Sequence, residues 1–205
     1  MISDFLARLW SRAPAAPAAQ VLPKVLPPQP DPAELAPLSS MKALGRRTVI
    51  LDTAINPALG WLSVRGVTSD DRARVMLLAI AGQESDAQYR RQHGNGPARG
   101  LWQFESGGGV RGVLMHKSSA RLAAALCEWR GVKAETPLVH AALERDDVLA
   151  AGFARLLLVT DPAALPGVEA EDAGWTYYLR NWRPGKPHPE RWPENWKLAR
   201  EAVEG

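Results

Sequence analysis

Residues 68–85, TSDDRARVMLLAIAGQES, constrain the fold more than any other stretch. Ser69 or Asp70 offers a side-chain cap, and acids fill the first turn. Val75, Leu78, Ala79 and Gly82 then recur at helical spacing. Nothing comparable alternates with the two-residue period of a strand, so a mainly α fold is expected. The helix ends on Glu84, where the dipole disfavours a negative charge. The residues leading to it, Ala79, Ile80, Ala81 and Gly82, are apolar or lack a side chain. Burial and dipole together raise a carboxyl pKa and keep the proton near neutrality, the condition a general acid needs. The bland alternative is a solvated glutamate on a frayed helix end.

A loop follows, from Tyr89 to about Gly112, with seven glycines and a basic balance. Between Tyr89 and Lys117, Arg90, Arg91, Arg99, Arg111 and Lys117 face Glu105 alone, a local charge of +4. Such a rim steers anionic polymers, and equally describes a solvated basic loop. Further helices are predicted at about 118–130, 146–159 and 173–181. Helical periodicity from residue 40 is expected to break at Asn56-Pro57. Pro137 and residues 162–166 mark other breaks, and a Trp/Pro-rich tail closes the chain.

Three regions emerge. Residues 1–12 carry Ile2, Phe5, Leu6, Leu9 and Trp10 at helical spacing, a short amphipathic helix. Residues 13–39 are dense in Pro and Ala, an extended linker with no core of its own. Residues 40–205 form the helical domain. The leading helix and tether suggest docking to a larger assembly, or a frayed terminus. Asp4 and Arg8 interrupt what a secretion signal would need as its apolar core, and no run is long enough to cross a membrane.

The 205 residues are 46% hydrophobic, enough for one packed core, with a net charge of +3. The single cysteine, Cys127, rules out an intramolecular disulfide and a multi-cysteine metal site, and reads as a buried thiol. The four histidines form no ligand pair with an acid, so no metal is expected. ESGGGVRG lacks the Lys-Ser/Thr ending of a phosphate-binding loop. No zinc-finger, RRM or KH pattern is present, so no specific nucleic-acid partner is expected.

Each residue after the glutamate has a chemical use. Gly100 would let the backbone pass close to a sugar ring. Gln103 offers a donor and an acceptor to hydroxyl and N-acetyl groups, or is a surface amide. Trp102 would stack on a pyranose face, or fill the core. The late tryptophans 175, 182, 192 and 196 line a saccharide cleft or, for most of them, staple the C-terminal segment. A hydrolase ordinarily needs a second carboxylate, for which Asp86 and Glu105 are the candidates.

Glu84-Ser85, followed by Gly100-Leu101-Trp102-Gln103, resembles the lysozyme-like lytic transglycosylase and goose-type lysozyme superfamily. The longer QESDAQYRRQHGNGPARGLWQFESGGGVRGVLMH and YYLRNWRPGKPHPERW look like a bacteriophage branch, and the likeness spans roughly residues 65–196. Trp102 stands where the family has Met, and the late tyrosine segment lacks the family's Ala-Tyr-Asn-Ala-Gly wording. The resemblance implies a lysozyme-like helical domain that cleaves the MurNAc–GlcNAc β-1,4 bond of peptidoglycan. Glu84 is then the acid/base, and Ser85, Gly100, Leu101, Trp102 and Gln103 line the cleft. A late tyrosine, Tyr177 or Tyr178 with Tyr178 preferred, approaches Glu84. A transglycosylase of this kind needs no cofactor. A virion component made in the host cytoplasm is implied, joined to other phage structural proteins through the N-terminal arm. An endolysin-type hydrolase, a catalytically inactive structural module and a basic nucleic-acid-binding protein are the rival readings.

Overall fold

The computed structural model describes Leu35 and residues 38–205. The helix expected at 1–12 and nearly all of the linker expected at 13–39 lie outside the described residues. Helix α1 (Ala43–Ile50) runs through a π turn (Leu51–Ile55) into α2 (Asn56–Ser63). Asn56-Pro57 therefore shifts the helix rather than ending it. Proline has no N–H, and its ring collides with the carbonyl four residues back. The wider turn, closed by the Asn56 N–H on the Leu51 carbonyl, lets the helix continue.

Helix α3 (Asp71–Ser85) is capped by Asp70, whose carboxylate accepts the Ala73 N–H at 3.3 Å. Its residues 75–83 are buried all round, not on one face, so α3 is the central helix rather than an amphipathic surface one. After the loop come α4 (Arg111–Met115), α5 (Ala120–Trp129), α6 (Thr136–Ala142), α7 (Asp147–Val159), α8 (Glu171–Trp182) and α9 (Trp192–Glu204). Helix α9 lies against α3 and α1, and α7 covers the π turn, α2 and α5. Asp146 caps α7 through the Leu149 N–H at 2.9 Å and holds buried Arg130 at 2.7 Å. Cys127 is buried in α5, and that burial pushes its thiol up to about 12.

The fold is mainly helical, and no strand occurs among the described residues. The glycine-rich loop is nonetheless organised by two isolated antiparallel bridges, Arg91 to Arg99 and Arg99 to Phe104. Its last part is not loop at all: Ser106–Val110 form a π turn that feeds α4. Pro137 and Pro193, read as a break and as part of a tail, occupy the first turns of α6 and α9. There the missing N–H costs nothing, because no carbonyl inside the helix would receive it.

Candidate active site

Glu84 occupies the last turn of α3 and lines an open cleft of about 1220 Å³. Directly after Ser85 the chain leaves the helix through two left-handed residues, Asp86 (φ 55°) and Ala87 (φ 52°). That conformation is strained for residues with a Cβ. It is held by the Asp86 N–H on Gly82 and the Ala87 N–H on Ala81. Helix-end carbonyls stay occupied while the backbone turns away and leaves the Glu84 side chain at the cleft.

Tyr178, on α8 and only 2% exposed, donates its hydroxyl to Glu84 Oε1 at 2.6 Å. Its ring is held by stacking on Trp192 at 5.3 Å and by Trp175 at 5.3 Å. Trp192 and Trp196 are buried and donate to the Glu171 and Val168 carbonyls. This part of the tryptophan cluster thus joins α8 to α9. Burial drives the Glu84 carboxyl up to about 7, against the pull of the Tyr178 hydrogen bond and the Arg191 charge, which favour the ionised form. Burial, with the neighbouring Glu84 charge, pushes the Tyr178 phenol well above the ordinary tyrosine range, so it remains a donor.

The two short sequence motifs behave differently from their expected roles. Ser85 is buried, and its hydroxyl is shared between the Ala81 carbonyl at 3.0 Å and the Leu101 carbonyl at 2.6 Å. It therefore fastens the end of α3 to the Gly-Leu-Trp-Gln turn. Leu101 and Trp102 are fully buried, and the Trp102 indole donates to the Leu77 carbonyl at 3.0 Å. Neither presents a face to a ligand; both fill the space beside α3. Gly100 is required by its own turn: φ is 75°, and a Cβ would lie 2.7 Å from the Leu143 carbonyl oxygen. The close approach there is to the end of α6, not to a sugar. Gln103 alone of the four reaches the cleft, its amide nitrogen donating to Gly100 at 2.9 Å and Tyr89 at 3.2 Å.

Both candidate second carboxylates line the same cleft. Asp86 is engaged by Arg191, and Glu105 is exposed just before the Ser106–Val110 turn. The basic loop is partly neutralised: Arg90 grips Asp147 at 2.6 Å and Arg99 grips Glu144 at 2.9 Å. Arg91 remains on the cleft, joined by Arg183 and Lys186 from the segment after α8. These three make no ion pair among the described residues.

Trp182 takes the cleft-lining alternative offered for the late tryptophans, and several other site residues escaped the sequence reading. Trp182 lines the cleft with its indole donating to the Trp102 carbonyl at 3.1 Å. Behind Glu84, a buried chain runs from Arg47 to Asn195 (2.6 Å), from Asn195 to Gln83 (3.1 Å), and from Gln83 to the His188 carbonyl (2.9 Å). A Cβ on Gly82 would collide with Arg47 and Asn195, so that glycine admits the network. Arg47 and Asn195 carried no signal in sequence; for Arg191 the signal was only that it stands in the Trp/Pro-rich segment. Among the described residues no three His, Cys, Asp or Glu side chains converge to hold a metal ion, and no helix is long and apolar enough to cross a membrane. Compared with known proteins, the chain matches no protein family, no curated protein and no solved structure.

Proposed function

We propose that this chain is a phage peptidoglycan-degrading enzyme of lysozyme-like type, a lytic transglycosylase cleaving the MurNAc–GlcNAc β-1,4 bond. The observation that carries the reading is Glu84: one carboxyl on an open cleft, titrating near 7, held by a buried tyrosine. A group that exchanges its proton near neutrality serves as acid and then as base. In the first step Glu84 gives its proton to the glycosidic oxygen. The C1–oxygen bond breaks as the substrate's own N-acetyl oxygen bonds to C1. In the second, the muramic 6-hydroxyl attacks C1, the N-acetyl oxygen leaves, and the hydroxyl proton passes to Glu84. The product is a 1,6-anhydro sugar, and the enzyme returns to its starting form without a cofactor or metal.

Gln103 offers its amide oxygen, and Trp182 an aromatic edge, to a sugar chain in the cleft. Arg91, Arg183 and Lys186 attract the carboxylates that this polymer carries, so binding weakens with added salt. Action from the virion, at the cell wall and periplasm during genome entry, fits a chain made in the host cytoplasm and joined to other particle proteins through residues 1–39. A hydrolase of endolysin type is the second reading, favoured by Glu105, an exposed carboxylate that lines the same cleft. Digestion of purified peptidoglycan, with products read by mass spectrometry, separates the readings. Anhydro-muropeptides made by the wild type and not by Glu84→Gln support the transglycosylase. Reducing-end products mean a hydrolase. No product from folded protein leaves a structural component of the particle.

A further inference from the structure

Arg191 precedes α9, yet its guanidinium crosses to the end of α3. It donates to the Gly82 carbonyl at 3.2 Å and to Asp86 Oδ1. These two contacts bracket Glu84, two residues from each. We propose that Arg191 and Asp86 are an opposed charge pair acting on Glu84: Arg191 is a positioning residue that favours the carboxylate, and Asp86 is the counter-charge that restrains it.

The geometry gives Arg191 no simpler duty. As a structural tie it is redundant, because Gln83 already binds the same segment through His188, and Asn195 binds α9 to Gln83. Its partner Asp86 sits in a left-handed backbone position that aspartate tolerates, directly after the helix end. The carbonyls of the last helical turn add partial negative charge beside Glu84, and a cation at that spot opposes them alongside the Tyr178 hydroxyl. For an acid that must also act as a base, an unrelieved negative surround would hold the proton and block the second step.

Other groups around Glu84 differ in kind. Tyr178 on α8 is a neutral donor. Arg47 on α1 is buried behind the helix and is held by Asn195 and the Ala43 carbonyl. Glu194 on α9 acts on Arg47. The same open cleft is lined by Glu105, His93, His116, Arg91, Arg183 and Lys186, and by Arg180, which is paired with Asp161; Arg46 on α1 donates to the Asp86 carbonyl at 3.3 Å. Arg191 is the cation whose charge acts on Glu84, lowering it from the value that burial alone would set.

The two members of the pair give a signature that a merely structural ion pair cannot. Breaking a structural bridge from either side has the same effect. Here the effects are opposite. In Arg191→Ala the carboxyl loses its cation and titrates higher; in Asp86→Asn the cation is released from its counter-ion and Glu84 titrates lower. Asn tolerates the left-handed conformation, so the second variant keeps the turn. The experiment follows the Glu84 side-chain carbon by NMR through a pH titration of the full chain. Wild type, both variants and Arg191→Lys are compared.

Shifts of roughly half a pH unit in opposite directions, with Arg191→Lys near wild type, support the pair. Shifts in the same direction, or none in folded variants, overturn it. The pair's catalytic consequence rests on the proposed function, and the pH–rate profile on peptidoglycan tests that separately. Opposite NMR shifts without cleavage would sink the enzymatic reading and leave the charge pair standing.

Discussion

Two short motifs meet at this site, and they distribute their residues in opposite ways. Glu84-Ser85 sends its first side chain into the cleft and buries the second. Gly100-Leu101-Trp102-Gln103 buries the first three and sends only the last to the cleft. One hydrogen bond, Ser85 Oγ to the Leu101 carbonyl, joins them. The difference teaches that a sequence motif at a site is mostly fastening. A helix end can present a reactive group at little cost because its backbone is already satisfied. A turn cannot, so it needs a glycine for its φ and large apolar anchors to fix it against α3.

That division predicts effects of different kinds. The largest on stability is Trp102→Ala, which empties a fully buried indole site and removes its hydrogen bond to the Leu77 carbonyl. Denaturant unfolding should show a loss of about 3–5 kcal/mol. A small loss with weakened saccharide binding would mean the indole serves the ligand instead. Ser85→Ala comes next. It leaves the Leu101 carbonyl unpaired in a buried place and should cost about 1–3 kcal/mol.

Tyr178→Phe should act on chemistry rather than on stability. Its hydrogen bond favours the carboxylate, so without it Glu84 titrates above 7. The alkaline edge of activity then moves up by about one pH unit. A downward move would mean the tyrosine stabilises the protonated acid. The smallest effect on folding is that of Gln103→Ala: unfolding almost unchanged, kcat/KM reduced. A stability loss as large as that of Trp102→Ala would erase the contrast between cleft and anchor.

Glu84 itself links the two properties. Its folded-state value, about 7, lies above the ordinary 4.5. The folded protein therefore holds the proton more tightly than the unfolded chain, and stability falls as pH rises from about 4.5 through about 7. Glu84→Gln carries no such penalty. Its melting temperature should exceed that of the wild type above pH 7 and approach it near pH 4. An advantage that does not change with pH would show that the carboxyl is not held protonated by the fold.

Much of this was legible in sequence, and for definite reasons. The Asp70 cap, the apolar run of α3 and the periodicity of α5, α7 and α8 are local signals, and local signals survive folding. The prolines were misread because the same residue stops a helix from inside and starts one from its first turn. Pro137 and Pro193 do the second, and Pro57 is absorbed by a π turn. Glu84's apolar approach was visible. Of its partners, Tyr178 was named only through the family resemblance; Arg191 and Asn195 were not, because they lie about a hundred residues away and only packing brings them near. The burial of Trp102 was open for the same reason: an indole suits a sugar face and a core equally until its neighbours are known.

The most direct measurement is the rate of peptidoglycan cleavage by wild type, Glu84→Gln and Glu105→Gln, each with its melting temperature at the same pH. The account predicts that Glu84→Gln falls by roughly a thousandfold or more while melting no lower than wild type. Glu105→Gln should stay within a few-fold. A Glu84→Gln protein that still cleaves would contradict the assignment of the acid, and with it the reading of the cleft.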